Sequence, residues 1–401
     1  MNAPPRPRLP MTTLLAANLF FNGTSYAATL PYAGIAAIDG LGFSSGDYAL
    51  LLSISALVGL VASVGLGFLS DRVGDRRVLV LFAALMGALG FGLIYVAPSS
   101  LSYIIAYCVI VPFGGALFGQ SFGYARAYYN ARQPERAEFM ITVLRMVFSA
   151  SWVLMPPIAG WVAATYKVFD VYGLAAAAYL GSALIFLILL REPMARIGTA
   201  ETKASGEAAA DGIAPAMLMG IVGIVLISVA LRLSGTAAPL AIIGDIGGTL
   251  ADVGLYSGLA ALLEIPFTLA WGFAALRWRK HTLIVWCGLI YALYMFLFTQ
   301  AHSVSDVLWL QLINAIAVAG LMSLPISYLQ EAIHGRVGLS TSLLDVVFVL
   351  AGLLSAGIFG LMASSTGYVP MFWIAGVLST LGAVVLFLAH RVIGPRVAPA
   401  N

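Results

Sequence analysis

The chain has 401 residues, of which 61% are hydrophobic and only 9% charged, and its mean hydropathy is +0.98. A soluble domain carries about 25% charged residues, so a water-soluble globular fold is excluded and a polytopic membrane protein is indicated. The net charge of +3 reports how the chain is threaded through the bilayer and offers nothing that would hold nucleic acid.

A membrane span needs roughly 20 apolar residues, and the sequence offers twelve such stretches. In chain order they lie near 11–36, 46–69, 78–97, 100–125, 138–165, 170–190, 214–238, 252–275, 282–300, 304–330, 338–364 and 368–390. With the N-terminus in the cytoplasm, seventeen of the twenty Lys and Arg residues fall on the cytoplasmic side. The opposite side receives only Lys167, while Arg145 and Arg232 lie inside spans. That asymmetry follows the positive-inside rule and places both termini in the cytoplasm. The Pro-rich start leads into a long first span without a small-residue cleavage site, so it reads as a retained helix. Cys108 and Cys287 both lie within spans and are not expected to pair.

In the first span, Asn18, Asn22, Tyr26 and Thr29 follow the i, i+4, i+8, i+11 spacing of one helix face. After span two comes Gly67-Phe-Leu-Ser-Asp71-Arg72-Val-Gly74-Asp75-Arg76-Arg77, a glycine-bounded turn with a basic cluster. Span four carries Gln120 and Tyr124, again four apart, and span five carries Arg145 and Trp152. The longest polar stretch, 192–213, suits a flexible cytoplasmic linker. It separates an N-terminal bundle, 1–191, from a C-terminal bundle, 214–401. Beyond it, Arg232 lies in span seven, Glu264 in span eight, Gln311 and Asn314 in span ten, and Asp345 in span eleven. A charge inside hydrocarbon costs at least a few kcal/mol, so each of these is a functional candidate.

The two halves are weakly self-similar. Residues 45–68 lie over 250–273, so that Asp47 meets Asp252 and Gly67 meets Gly272, and at nearby offsets Tyr124 meets Tyr328 and Arg145 meets Asp345. Six spans repeated about a central linker is the plan of transporters that rock around a midplane site.

The loop after span two resembles the signature of the major facilitator superfamily. A basic residue usually stands where this chain has Asp75, and the second-half counterpart, Gly272 to Lys280, lacks the Asp. The segments TVLRMVFSASWVLMPPIAGW (142–161), GLAALLEIPF (258–267) and LQLINAI (310–316) are similar to the bacterial sugar efflux transporter family. The resemblance implies an all-α integral membrane protein with twelve transmembrane helices in two six-helix pseudo-symmetric bundles. It also implies that spans 1, 4, 7 and 10 line a cavity and that spans 5 and 8 touch. Gly67, Asp71, Arg72, Gly74, Arg76 and Arg77 would then form a conformational latch.

On that frame, Asn18, Asn22, Tyr26, Gln120, Tyr124, Trp152, Arg232, Gln311 and Asn314 are the expected substrate-binding residues. Amides offer donors and acceptors to sugar hydroxyls, and aromatic faces pack on sugar C–H surfaces. The competing reading of each is interhelical hydrogen bonding. Glu264 is the expected proton-coupling group with Arg145 as its state-dependent partner, and Asp345 is a second titrating candidate. The resulting expectation is a proton-coupled exporter of sugars or related small polar compounds in the bacterial inner membrane, working as a monomer without a cofactor. A multidrug exporter and an uptake symporter are the alternatives. The sequence holds no nucleotide-binding loop and no nucleophile or metal-ligand constellation, so an enzyme is not expected.

Overall fold

The computed structural model describes residues 10–197, 215–332 and 337–393, leaving aside the side chains of 70, 71, 215, 216, 331, 332, 337–345, 364, 365, 392 and 393. The expected linker, 192–213, therefore lies mostly outside the described residues, as do the side chains of Asp71 and Asp345. Twelve long helical stretches follow the hydropathy closely. They are α1 (Met11–Thr29), α2 (Ser45–Arg72), α3 (Arg76–Val96), α4 (Ser100–Arg132), α5 (Ala137–Thr165) and α6 (Asp170–Leu190). The second set is α7 (Pro215–Gly244), α8 (Leu250–Ala275), α9 (Lys280–Phe298), α10 (Val304–Ala332), α11 (Val337–Thr366) and α12 (Pro370–Ile393). Among the described residues, eleven helices are long and apolar enough to cross a membrane. The first, α1, is missing from that set because its Asn, Thr and Ser residues dilute its hydropathy.

The helix starts are written in the sequence. Ser44 and Asp47 bond reciprocally at the start of α2. Thr249 and Asp252 form the same capping box at the start of α8. Lys167 with Asp170, and Ser303 with Asp306, use related contacts for α6 and α10. Each carboxylate takes up N–H groups that a helix N-terminus leaves unpaired and sits where the helix dipole favours negative charge. The matched pair Asp47 and Asp252 thus marks equivalent helix caps. At the other ends of the helices stand basic residues: Arg72 in the last turn of α2 and Arg132 in that of α4 in the first unit, and Arg391 in the last turn of α12 in the second.

Contacts divide the described chain into two units. The first draws on Met1–Phe43, Leu51–Ala204 and Val253–Gly258, and the second on Ser44–Leu50, Ser205–Asp252 and Leu259–Asn401. In the first, α1 packs on α5 and α6, and α3 packs on α4 and α6. In the second, α7 packs on α11 and α12, and α9 packs on α10 and α12. Every pairing maps onto its counterpart by a shift of six helices, so the repeat is a property of packing as well as of sequence. Small residues allow the closest approaches, as expected where lipid competes for every apolar surface. A Cβ on Gly382 would lie 2.6 Å from the Gly223 carbonyl oxygen, so α7 and α12 meet backbone to backbone there.

Candidate functional site

Within the first unit, the polar face of α1 points at α4. Asn18 and Asn22 are 1% and 0% exposed, on a helix whose other neighbours are α5 and α6. The Asn18 Nδ2 donates to Ser121 Oγ of α4 at 2.9 Å, and Ser182 Oγ of α6 donates to the Asn18 carbonyl at 3.4 Å. About two turns farther along α1, the Tyr26 hydroxyl donates to the Gly115 carbonyl at 2.9 Å, and the Tyr179 hydroxyl of α6 donates to the Gly114 carbonyl at 3.2 Å. The α4 helix is broken at this level. Its regular ladder stops at Ala116, whose N–H turns to the Phe113 carbonyl at 3.3 Å. Sharp breaks have identifiable causes, and here the Pro112-Phe-Gly-Gly sequence and a preceding π-turn, Ala106–Ile110, supply one. Gly114 is required at the break, because a Cβ there would lie 2.7 Å from the Gly87 Cα of α3.

Between these anchored points lies Asn22. Neither its Oδ1 nor its Nδ2 has a hydrogen-bond partner, and the Asn18 Oδ1 is likewise unpartnered. Thr29 lies on the same face but its hydroxyl is spent on the Ser25 carbonyl at 2.8 Å. Gln120 and Trp152 are half-buried, and Arg145 is exposed with its guanidinium 6.0 Å from the Phe122 ring centre.

Tyr124 belongs elsewhere. It is 1% exposed and its hydroxyl donates to the Ala195 carbonyl at 2.7 Å, just beyond α6. Its repeat partner Tyr328 does the analogous thing in the second unit, reaching His390 in the last turn of α12 at 3.5 Å. These two tyrosines tie the fourth helix of each set to the end of the sixth, so their match in sequence records packing.

In the second unit, the amides of α10 bond to each other. Asn314 Nδ2 donates to Gln311 Oε1 at 2.8 Å, and Gln311 Nε2 reaches the Val307 carbonyl at 3.0 Å and Tyr294 Oη at 3.4 Å. Gln311 is fully buried and Asn314 nearly so. Close by in this unit, Tyr291 bonds with Ser234 of α7. Arg232 is exposed, with its guanidinium 5.8 Å from the Phe348 ring centre. Glu264 is half-buried near the middle of α8, where its backbone carbonyl accepts from Thr268 Oγ1 at 2.9 Å.

At the basic face, the signature loop is built around Asp75 and Arg77. Asp75 is the N-cap of α3 and accepts from the Arg77 backbone N–H. Burial works against its charge, but the hydrogen bonds and charge of Arg77, with Arg196 farther off, outweigh burial and hold the carboxyl below its usual range. Arg77 is 4% exposed, so it is a buried bridge, whereas Arg72, Gly67 and Gly74 are exposed and Arg76 is half-buried. Sequence reasoning missed Ser121, Tyr179 and Ser182. A lone Ser or Tyr in an apolar helix carries no signal of its partner, which only packing supplies.

Two repeated six-helix sets, each enclosing amide side chains in largely apolar helices, define a multi-pass membrane protein. The Major Facilitator Superfamily model matches residues 15–227 and 220–400. The chain belongs to that superfamily and, within it, to the sugar efflux transporter family; it is a transporter and not an enzyme. It is 30% identical to Sugar efflux transporter A of Dickeya chrysanthemi over 331 residues, covering 80% of this chain and 81% of that one. Sugar efflux transporter B of Salmonella typhimurium is 26% identical, with 89% and 90% covered. Among solved structures, a POT family transporter in complex with 5-aminolevulinic acid aligns with a TM-score of 0.80 at 12% identity, covering 97% of both chains. A nucleoside transporter aligns with a TM-score of 0.78, also at 12% identity, covering 96% of this chain and 100% of that one. At such identities the structural likeness speaks for the fold alone.

Proposed function

We propose that this transporter exports sugars or closely related uncharged polyhydroxy compounds across the cytoplasmic membrane in exchange for protons. The observation that carries the substrate class is the amide chemistry of the two units: Asn18 and Asn22 in one, Gln311 and Asn314 in the other, with tyrosines beside them. Amides offer donors and acceptors together, which matches hydroxyls and leaves no fixed charge to attract a cation. The names of the similar proteins from Dickeya chrysanthemi and Salmonella typhimurium support the same substrate class and direction.

The basic face is the cytoplasmic one, by the positive-inside rule, which sets both termini in the cytoplasm. Glu264 carries the proton, because a carboxylate inside an apolar helix is held in balance between desolvation and any nearby cation. Arg145 is its partner in one state of the cycle, and Asp345 is a second acidic group able to titrate. Substrate is bound by Asn18, Asn22, Gln120, Trp152, Arg232, Gln311 and Asn314, with Tyr26 offering its ring rather than its hydroxyl, which the Gly115 carbonyl holds. The loop from Gly67 to Arg77 acts as the latch, and the monomer is the working unit.

The test is counterflow in proteoliposomes loaded with unlabelled compound. Labelled D-glucose, D-xylose or lactose should enter against the matching unlabelled sugar. Entry of a lipophilic cationic dye with no sugar exchange would replace this reading with that of a drug exporter.

A further inference from the structure

We infer that Asn22, together with the free amide atom of Asn18, forms a hydroxyl-recognition subsite inside the first unit, at the break in α4, and that this subsite sets which sugars are accepted. The inference rests on the sugar-export reading and deepens it by assigning discrimination to one place.

The argument starts from unsatisfied hydrogen-bonding capacity. Asn22 is 0% exposed, and both its amide oxygen and its amide nitrogen lack a partner. A side-chain amide has two donors and an acceptor, and leaving them unpaired in a buried place is costly, so a native structure holds such a group for a reason. Its own helix gives it nothing: Ser25 and Thr29, which share its face, turn their hydroxyls to the carbonyls of Asn22 and Ser25. Asn18 uses one amide atom on Ser121 and leaves the other unpartnered, whichever way round the amide is placed. The two asparagines are one helical turn apart, about 5.4 Å along the axis, so adjacent hydroxyls on one small ring suit both.

The helices around Asn22 are held to one another by their own hydrogen bonds. The Tyr26 and Tyr179 hydroxyls are spent on the Gly115 and Gly114 carbonyls, which pins the interrupted α4 against α1 and α6. Interrupted helices with non-helical backbone are tolerated at membrane depth only where protein or a cavity covers them, and transporters place substrate sites at such breaks. The chemistry of the ligand also follows. The polar residues that the neighbouring hydrogen bonds involve are Asn18, Ser25, Tyr26, Ser121, Tyr179 and Ser182, with no carboxylate, Lys, Arg or His among them. A charged ligand would find no counter-charge, whereas a hydroxyl, which donates and accepts at once, satisfies both faces of an amide. Water has the same chemistry as a sugar hydroxyl. The cargo is the source we assign, because transporters place substrate sites at interrupted helices, and the stability readout separates it from a structural water.

The experiment compares wild type with Asn22→Leu, which removes the amide but keeps its branched shape, and with Asn22→Ser, which puts a hydroxyl in place of the amide and carries the test if the Leu variant does not insert. Counterflow is measured with D-glucose and with its singly deoxygenated forms, alongside thermal stability in detergent. Asn22→Leu should raise the half-saturation concentration for D-glucose at least tenfold and should flatten the difference between D-glucose and one deoxy form, with stability unchanged or higher. Asn22→Ser should fall between. Unchanged half-saturation and unchanged discrimination overturn the subsite, and so does a drop in stability with transport unaltered, which is the result for a structural water. If wild type exchanges none of D-glucose, D-xylose and lactose, it is the sugar reading that fails, and the subsite falls with it for that separate reason.

Discussion

Arg77 grips Asp75 fork to fork, with Nε 2.8 Å from Oδ1 and Nη2 2.6 Å from Oδ2, while its remaining Nη1 donates to the carbonyl oxygens of Leu189 and Glu192. One side chain therefore closes the C-terminus of α6, whose last carbonyls have no partners in their own helix, and is itself aimed by the N-cap residue of α3. The pair is largely enclosed, with side chains 5% and 20% exposed. Bidentate charge-assisted contacts of this kind are stronger and more directional than a surface ion pair.

Breaking that arrangement from either side should loosen the basic end of the first unit. Arg77→Met removes one donor from each of the Leu189 and Glu192 carbonyls, which keep the Glu192 and Ala195 N–H groups, and strips Asp75 of its guanidinium partner; it should cost about 2–3 kcal/mol, slightly below the range for a fully buried pair because Asp75 is partly exposed. Asp75→Asn should cost about 1–2 kcal/mol. The sign of the pH dependence follows from the lowered carboxyl pKa. A carboxyl held below its unfolded value, about 3.9, stabilises the fold at every pH above that value. The contribution is lost as pH falls through the depressed folded value. Thermal melts in detergent carried from neutral pH to below about pH 4, the unfolded carboxyl value, should show wild type losing stability only at that acid end, with Asp75→Asn lacking that component.

The backbone contact between Gly223 and Gly382 predicts a steric failure that no polar substitution elsewhere in α12 would reproduce. Gly382→Leu must push α7 from α12, because even a Cβ meets the Gly223 oxygen at 2.6 Å. Overpacking costs typically about 1–3 kcal/mol, and a backbone neighbour cannot move aside as a side chain does. Lower yield of monodisperse protein in gel filtration, with a melting point below that of wild type, is the expected result.

Asp245 closes the second unit at the acidic face. Its Oδ2 accepts from the backbone N–H groups of Tyr368 and Val369, at 2.9 and 2.8 Å, immediately before Pro370 opens α12. Proline tolerates the first helical position, and the carboxylate satisfies the N–H groups ahead of it. Asp245→Ala should cost about 0.5–2 kcal/mol, the range for losing a helix cap, and Asp245→Asn should recover part of it. Hydrogen exchange at the start of α12 is the direct check.

Coupling is testable apart from binding. Glu264→Gln keeps shape and hydrogen bonding but cannot release a proton. Gradient-driven movement should fall by at least tenfold, while sugar counterflow, which needs no net proton movement, should persist. Gradient-driven movement that survives Glu264→Gln would pass the coupling role to Asp345 or to another group.

Much of the architecture was legible in the sequence because hydropathy and charge placement report directly on a bilayer. The edges of α6 at 170–190 and of α5 at 137–165 agree with the reading of the apolar runs. Asp47 and Asp252 were visible as a repeated pair, and their reciprocal caps explain why an Asp recurs there. The interruption of α4 was not legible: Pro112 and the Gly114-Gly115 pair are commonplace in membrane helices, and the tyrosines that satisfy the break come from α1 and α6. Tyr124 shows the same limit. Its four-residue spacing from Gln120 put it on a polar face, but its hydroxyl is committed to Ala195, a residue distant in sequence. Asp75 looked like a lapse in a basic motif, and the structure makes it the residue that orients Arg77.

The most direct measurement of the central claim is sugar movement by the purified protein in liposomes under an imposed pH difference. With the substrate-side compartment more alkaline than the other, labelled D-glucose, D-xylose or lactose should accumulate on the acidic side, and a protonophore should abolish the accumulation. Sugar that only equilibrates, regardless of the pH difference, would contradict proton exchange. No sugar movement in either direction, in protein that still moves a cationic dye, would contradict the sugar assignment itself.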